Sequence, residues 1–318
     1  MKDDSSKVLL VGPSYKIADY DLGYFENKRR EGYKIISYTG SILYFREIGF
    51  APDYFSWFDP TSALSQVWNA ITDSGDFFKN TDMLAADLFH DQSALFKKYG
   101  MSTRTPMNQE NCRKITEELP KFFNKCHWHK VSLVDMAHLR KQSLAFKQKH
   151  KYEHLLKTQP RMARRLKNKI RNIEASEFEG HKKHGFPSPQ IPDFKQHFHL
   201  IHSVAFHGPS SYSADKLTSF VLPLVLYHFG DSLDEIRLLG FGDFEEMGGN
   251  TGRWQSEPFK IKKSPENQKK QRVCFIRGFK FLFNHYYSDY LQKEKIKLLF
   301  ENENSYSRIV EKGPRIEG

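Results

Sequence analysis

Apolar runs alternate with stretches of helical composition from the start of the chain. Residues 8–11 are four consecutive apolar residues, and Gly12, Pro13 and Ser14 follow at once. This pattern predicts a buried strand that delivers a loop to the carboxyl edge of a sheet, where open α/β sheets bind ligands. Gly12 lacks a Cβ and Ser14 offers a hydroxyl and an N–H, so the loop suits a phosphate or a sugar. A plain strand and turn without a ligand is the alternative.

The same alternation continues in the segments that follow. Strand composition recurs at residues 33–38, 54–58 and 82–89, and helical composition lies between these strands, at residues 19–30, 42–47 and 63–71. This order of strands and helices is typical of one half of a nucleotide-binding sheet. The turn after the second strand is again small and hydroxyl-bearing, and it includes Thr39.

The pattern changes at residue 108. From there to residue 179 the chain is polar, basic and only loosely periodic, which predicts a mostly helical insertion or lid. Residues 147–151 and 161–171 place positive charge nearly all round a helix. A solvated charged face fits this pattern, and so does contact with an anionic acceptor or a membrane surface.

The sheet pattern resumes after residue 192. Strands are predicted at residues 198–206, 235–240 and 297–300, and helices at residues 268–293 and at residues 213–229 with a kink at Pro223. The predicted fold class is therefore α/β, with a mostly parallel sheet flanked by helices. Residues 1–107 and 193–318 are the two parts of this domain, and residues 108–192 are the basic helical lid.

Composition narrows the class of protein. Of the 318 residues, 39% are hydrophobic and 27% charged, which is ordinary for a soluble globular protein. No apolar run approaches the roughly 20 residues of a transmembrane helix, and residues 1–6 are polar, so we expect a cytoplasmic protein. Cys112, Cys126 and Cys274 have no close spacing, which indicates reduced, structural thiols. The net charge of +11 favours an anionic partner without identifying it.

Three motifs at predicted strand ends change this general picture. The first is the Val-Gly-Pro-Ser of residues 11–14, and the second runs from the Gly-Phe-Ala-Pro-Asp of residues 49–53 to Asp59 and Pro60. The third couples the Thr-Ser of residues 218–219 to the Gly-Phe-Gly-Asp-Phe of residues 240–244. Each motif is short, but their order and spacing together are more specific than any one of them.

In that order the motifs resemble the bacterial CMP-sialic-acid-dependent sialyltransferases and the related motility-associated flagellin glycosyltransferases. The first motif is similar to their Gly-Pro-Ser-Leu nucleotide loop. The second is similar to the Gly-x-x-Pro-Asp pattern of the flagellin enzymes and to the Tyr-Asn-Pro of the sialyltransferases. The third follows their order of a hydroxyl-led helix and a Gly-x-Asp-Phe strand end. The resemblance covers about the first 60 residues and residues 213–305.

The resemblance implies a variant Rossmann sheet with a helical lid, a CMP-activated acidic sugar as donor substrate and no required cofactor. The implied donor-site residues are Gly12, Pro13 and Ser14 at the phosphate or ribose, Thr39 near the cytidine or sugar, Asp59 at a sugar hydroxyl, Thr218, Ser219 and Gly240 as the floor, and Asp243 at the ribose or base. Alternatively, Ser14 caps a helix and Asp243 forms a turn.

The general base departs from the family pattern. The sialyltransferases place a histidine between the Gly-x-Asp-Phe strand end and the final helix, but residues 260–270 contain none. Inverting transfer needs a group that accepts the proton of the acceptor hydroxyl, and histidine suits this role near neutral pH. His207 is the first candidate, with His184 and His285 as the others. For each of them a structural or exposed role is the alternative.

Two further pairs of histidines invite comparison with metal sites. His127 and His129, and likewise His197 and His199, each put two imidazoles on one face of a strand. No companion pattern of Cys, Asp or Glu completes a recognisable site, so no metal ligand is predicted.

The sequence thus predicts a metal-independent glycosyltransferase that moves a sialic-acid-like or Kdo-like sugar from a CMP donor to an anionic glycan or glycolipid. It would act in the cytoplasm or at the inner face of a membrane. One alternative is a pterin-pyrophosphokinase-like diphosphotransferase, whose family shares the Gly-Pro-Ser and Pro-Asp motifs and which needs Mg²⁺. Another is a nucleic-acid-binding protein that uses residues 147–171.

Overall fold

A seven-stranded parallel sheet is the centre of the computed structural model. The structure describes residues 7–57, 66–86, 113–129, 131–134, 159–163, 194, 198–201, 217–242, 276, 279–280 and 283–311. The strands of the sheet are β1 (Lys7–Val11), β2 (Tyr33–Tyr38), β3 (Tyr54–Trp57), β4 (Asp82–Ala86), β5 (Cys126–His129), β8 (Glu235–Leu239) and β9 (Lys297–Phe300). Their order across the sheet is β5-β4-β3-β2-β1-β8-β9, and every neighbouring pair is parallel. The predicted α/β class with a parallel sheet is confirmed.

Short helices and turns connect these strands. The α-helices are α1 (Leu22–Arg30), α2 (Ser41–Glu47), α3 (Gln66–Thr72), α4 (Leu222–Phe229), α5 (Ser288–Lys293) and α6 (Ser307–Glu311). Tight 3₁₀ turns span Tyr15–Asp19, Leu119–Phe122 and Gly230–Ser232, and wider π-helical turns span Lys114–Glu118, Leu217–Val221 and Phe283–Tyr287. Within the described part of the chain, no helix is both long and apolar enough to cross a bilayer.

Helices cover both faces of the sheet, and the side chains of each strand point alternately to one face and the other. Leu9 and Val11 of β1 face one side, where they share a buried cluster with Phe25 of α1 and Phe45 of α2. Their neighbours Val8 and Leu10 face the other side, where the buried residues of α4 and α5 cover them. Because both faces are covered, β1 is buried and apolar from Val8 to Val11, as the run at residues 8–11 predicted.

Helix ends follow from local side chains. The Oδ1 of Asp21 accepts a hydrogen bond from the Tyr24 N–H at 2.9 Å, so α1 begins at Leu22 rather than at residue 19. Three basic residues occupy the last turn of α1, where their positive charge stabilises the partly negative end of the helix dipole. Pro223 lies in the first turn of α4, directly after the π-helical turn, because a residue without an N–H is tolerated there. At the position of the predicted kink, the π-helical turn that ends at Val221 gives way to the α-helix that begins at Leu222.

The segment predicted to be a mostly helical lid contains strands. Its described residues include the π-helical and 3₁₀ turns over residues 114–122, but β5 then joins the main sheet as an edge strand. A further strand, β6 (Val131–Val134), pairs in parallel with β7 (Phe198–Ile201) in a separate two-stranded sheet. The prediction of mostly helical structure is wrong for residues 126–129 and 131–134. Trp128 packs against the buried cluster of β3 and β4.

Within the basic stretches the structure describes residues 159–163. Arg161 is exposed, but Ala163 is fully buried, so one side of this segment is covered. Residues 147–151 lie outside the described residues. Cys126 is a free thiol, and its burial, reinforced by the negative charge of Asp82, raises its pKa to about 12. Cys112 and Cys274 lie outside the described residues.

Candidate functional site

The strand order reverses direction at β1. From β1 the chain adds β2, β3, β4 and β5 on one side, and later β8 and β9 on the other. In parallel α/β sheets, ligands bind outside the carboxyl ends of the strands at such a reversal, so the ends of β1 and β8 are the expected place for a ligand crevice. The register pairs Val11 with Leu239, so the first and third sequence motifs begin at the same level of the sheet.

Gly12 and Gly240 meet at this point without room for a side chain. A Cβ on Gly12 would lie 2.5 Å from the Gly240 carbonyl oxygen and 3.0 Å from the Phe241 ring. A Cβ on Gly240 would lie 2.6 Å from Cγ2 of Ile17 and 2.8 Å from the Gly12 carbonyl oxygen, and its φ of +73° already favours glycine. Both glycines are thus explained by the approach of the two loops.

Hydrogen bonds fasten the two loops to each other. The Gly12 N–H donates to the Leu239 carbonyl at 2.8 Å, and the Ser14 N–H donates to the Gly240 carbonyl at 3.3 Å. The Ser14 hydroxyl accepts from the Lys16 N–H at 3.3 Å and caps the short turn Tyr15–Asp19. These amides are therefore occupied within the fold. The accessible groups of the loop are Pro13, Lys16 and Tyr15, whose side chain is 49% exposed.

The second strand ends beside this loop in a strained turn. Thr39, directly after β2, has a φ of +47°, and it is partly exposed. A β-branched residue is rarely found in this left-handed region, and such outliers concentrate at binding and catalytic sites. The Thr39 N–H donates to the Ser56 carbonyl at 3.1 Å, which ties the turn to β3. Among the described donor-site residues, Thr39 combines backbone strain with a partly exposed side chain.

Ser41 holds this turn against β1. Its buried hydroxyl donates to the Val11 carbonyl at 2.9 Å and accepts from the Tyr38 N–H at 3.0 Å. It also lies 2.8 Å from the Ser37 hydroxyl. A single side chain thus links the carboxyl ends of β1 and β2, and the sequence analysis had not singled it out.

Aromatic rings close the other side of the crevice. The Tyr38 ring stacks on the Phe241 ring at 6.2 Å and lies 6.4 Å from the ring of Phe220. Phe220 belongs to the π-helical turn that contains Thr218 and Ser219, so this turn lies under the same edge of the sheet. Thr218 is fully buried, and its carbonyl accepts a hydrogen bond from the Tyr287 hydroxyl. The predicted floor residues are therefore close to the crevice, with Thr218 packed in the core.

Four predicted site residues lie outside the described residues: Asp59, Asp243, His184 and His207. The backbone of His285 lies in the turn Phe283–Tyr287. The first part of the second motif is at the opposite edge of the sheet, because Asp53 directly precedes β3. There its carboxylate accepts from the Ile35 N–H at 2.9 Å and lies 3.4 Å from the Arg29 guanidinium. This aspartate has a structural role.

The structure also brings the two histidines of β5 next to a third histidine, 99 positions away from His129 in the sequence. His127 and His129 of β5 face the same side of the sheet as His228 of α4. Nε2 of His129 lies 3.1 Å from Nδ1 of His228, and the ring centroids of His127 and His228 are 4.9 Å apart. Nε2 of His127 lies 2.7 Å from Oδ2 of Asp82. The other carboxylate oxygen of Asp82 accepts from the Asn124 amide at 2.8 Å.

The sequence pattern identified only part of this histidine cluster, formed by His127, His129 and His228 with Asp82. The spacing of the two β5 imidazoles placed them on one face, but the pairing with α4 depends on the crossover of the chain. Burial, reinforced by the charge of His127, lowers the pKa of His129 to about 4. Within the described ranges, no three His, Cys, Asp or Glu side chains are arranged to hold a metal ion.

The histidine cluster is separate from the crevice. Four strand spacings separate β5 from β1, a lateral distance of about 19 Å. It therefore cannot supply a base directly to a donor bound beside Gly12.

No family model matches this chain, and no curated protein or solved structure is significantly similar to it.

Proposed function

We propose that the protein is a glycosyltransferase that binds a CMP-activated acidic sugar in the crevice between the ends of β1 and β8. The sheet would then be a variant Rossmann sheet, with the basic residues that follow β6, residues 135–192, covering the acceptor side. The donor would be sialic-acid-like or Kdo-like, and the acceptor an anionic glycan or glycolipid. No metal or cofactor is required in this proposal.

One observation carries the proposal. The Gly-Pro-Ser loop and the Gly-Phe-Gly strand end, more than two hundred residues apart in sequence, are hydrogen-bonded neighbours at the reversal of the strand order. The resemblance to CMP-sugar transferases rests on three motifs that include these two, and a shared site requires these two to be adjacent. The strained Thr39 and the exposed Tyr15 border the same loop.

The engaged amides change how the phosphate would be held. The N–H groups of Gly12 and Ser14 already donate to the carbonyls at the end of β8 and of Gly240. In this proposal the phosphate is therefore bound by partly exposed residues, through the Lys16 ammonium and the Thr39 hydroxyl. A donor with a single phosphate can leave with such help alone, since one cation and a few hydroxyls offset its charge. The proton of the acceptor hydroxyl would pass to a histidine, with His207 the first candidate and His184 and His285 the others.

Calorimetry with nucleotides tests the donor class directly. We expect CMP and CTP to bind in the presence of EDTA, and UMP and AMP to bind at least about tenfold more weakly, a difference of about 1.4 kcal/mol. A screen of nucleotide sugars should then show slow hydrolysis of a CMP-sugar. Stronger binding of another nucleotide, with no binding of CMP, would refute the proposal. Magnesium-dependent consumption of ATP would instead favour the diphosphotransferase.

A matched pair of variants locates the site. Thr39→Ala removes an accessible hydroxyl at the crevice and should weaken CMP binding about fivefold, the value of one hydrogen bond near 1 kcal/mol. Thr72→Ala removes a hydroxyl that bonds the Asn69 carbonyl at the end of α3, and CMP binding should not change. Equal CMP affinity of the two variants would place the nucleotide elsewhere.

A further inference from the structure

The His129–His228 contact joins the edge of the sheet to the helix that covers it. His129 is the last residue of β5, and His228 lies near the end of α4. The distance of 3.1 Å between Nε2 of His129 and Nδ1 of His228 is that of a hydrogen bond. His228 is 2% exposed, so the contact is largely shielded from water.

This hydrogen bond limits how many protons the pair can carry. One ring must donate and the other accept, but both nitrogens of an imidazolium are donors. The pair can therefore hold one extra proton at most before the bond breaks. A second proton would put two positive charges about 3 Å apart in a poorly solvated position, which is strongly unfavourable.

The surrounding groups compensate only part of this charge. From β4, the Asp82 carboxylate faces the cluster but is already bonded to His127 and Asn124. From β3, the Tyr54 ring lies 5.3 Å from the His228 ring, and from α4, the Tyr227 ring lies 5.3 Å from the His129 ring. The strand β7 lies beside α4 and carries His199. Among the described groups, Asp82 is the only carboxylate in contact with the cluster.

We propose that the His129–His228 contact is a pH-sensitive connection that holds α4 on the edge strand β5, and that acidification opens it. The low pKa of His129 agrees with this, because it shows that the folded cluster resists protonation. Opening would free the end of α4 while the central strands stay paired, since β1, β2 and β8 are joined by their own backbone hydrogen bonds. This inference is independent of the donor sugar.

Hydrogen exchange measured by mass spectrometry on the full chain tests the proposal. After correction for the intrinsic effect of pH, amides of residues 222–229 should exchange faster as the pH falls from 7 to 4. Between pH 6.5 and the lowered His129 pKa of about 4, the open state binds more protons than the closed one, so the increase should approach about tenfold per pH unit. Residues 22–30 of α1 provide the internal reference and should lose less protection than residues 222–229. Unchanged protection of α4, or equal loss in α1, would overturn the proposal.

A double variant separates the connection from general acid unfolding. Glutamine places its amide near the position of Nε2, and asparagine near that of Nδ1, so His129→Gln with His228→Asn can form an uncharged hydrogen bond. This variant should lose the pH dependence in α4, while the control variant His285→Gln should retain it. The same acid-induced exchange in the double variant would contradict the proposal.

Nuclear magnetic resonance of the unmodified protein provides a second measurement if the double variant does not fold. With ¹⁵N-labelled histidine, one coupled nitrogen pair should titrate together with the loss of α4 amide signals. Independent titration of all imidazoles, with α4 intact, would overturn the proposal.

Discussion

Two residues beside the ends of β1 and β8, Thr39 and Gly240, have left-handed backbone conformations, and at Gly240 neighbouring atoms also leave no room for a side chain. Thr39 is in the left-handed region, where glycine would be favoured, and Gly240 has both a positive φ and no room for a Cβ. The first position keeps a side chain despite its cost, and the second cannot have one. This contrast suggests that the Thr39 side chain has a use, whereas Gly240 serves the close contact of two loops.

Replacing Thr39 by glycine should separate stability from function. Thr39→Gly relieves the left-handed strain and should raise the free energy of unfolding by about 1 kcal/mol, while CMP binding weakens through loss of the hydroxyl. Thr39→Ala should weaken CMP binding similarly without this gain in stability. Chemical denaturation and calorimetry on the same preparations measure both effects. Tighter CMP binding by Thr39→Gly would show that the hydroxyl has no role at the donor.

The close contact of the two loops predicts an unequal cost of alanine at two glycines. Gly49 has a φ of +72°, close to the +73° of Gly240, but no atom would lie within 4 Å of an added Cβ. Gly49→Ala should therefore cost only the conformational strain of about 1–2 kcal/mol. Gly240→Ala should cost about 1–3 kcal/mol more, because backbone atoms of Gly12 must move. Denaturant titration of both variants measures the difference, and equal costs would contradict the geometry.

At the scale of elements, buried polar side chains connect strands and helices at two places. Ser41 links β1 to β2 at the carboxyl edge, and the histidine cluster links β5 to α4. In both places the apolar pattern explains which face is buried but not which polar groups pair there.

Removal of the Ser41 hydroxyl should loosen the carboxyl edge. Ser41→Ala leaves the buried Val11 carbonyl without this donor, so the free energy of unfolding should fall by about 1–3 kcal/mol. Ser232→Ala is a matched control, because the Ser232 hydroxyl bonds the Phe229 carbonyl within a local turn. Thermal and denaturant unfolding measure both. A larger loss for Ser232→Ala would contradict the role assigned to Ser41.

The histidine cluster predicts that acid destabilises the whole fold. The pKa of His129 is lowered from 6.5 to about 4, so between these pH values the unfolded chain binds more protons than the folded one. Its contribution to stability is therefore complete above pH 6.5 and is lost progressively as the pH falls to 4. The full effect is about 3 kcal/mol.

Urea unfolding at pH 7 and pH 4.5 measures this acid dependence. His129→Gln should show a smaller loss of stability on acidification than the unmodified protein, while His285→Gln should show the same loss. Parallel pH profiles for His129→Gln and the unmodified protein would exclude His129 as the responsible group.

At the scale of the whole molecule, the charge of +11 separates two classes of partner. A nucleotide with one phosphate engages few cations, so its affinity should fall less than about tenfold between 50 and 200 mM salt. A protein that contacts 6–10 phosphates of a nucleic acid loses about 10³ to 10⁵ in affinity over that range. Calorimetry with CMP and fluorescence anisotropy with duplex RNA measure how steeply each affinity falls with salt. Tight, steeply salt-dependent RNA binding without CMP binding would favour the nucleic-acid alternative.

Much of the sheet was predictable because its strands are buried on both faces. Four consecutive apolar residues at 8–11, and the similar composition of residues 33–38, identified β1 and β2 within a residue of their ends. The place of β5 in the main sheet was not predicted, since Cys126–His129 is short, half-buried and set in a polar, basic segment. The prediction of helix over residues 108–179 followed from the polar and basic residues around β5, not from the four residues of the strand itself.

The sequence by itself determined the α/β class, the small residues at the ends of β1 and β8, and the two imidazoles on one face of β5. Local patterns carry this information, because burial on both faces requires continuous apolar runs and tight loops require glycine. Only the tertiary structure decided that Gly12 meets Gly240, that the Ser14 amide donates to the Gly240 carbonyl, and that His228 pairs with His129. These contacts join residues about one hundred or more positions apart, and strand order and register, which no local pattern specifies, bring them together.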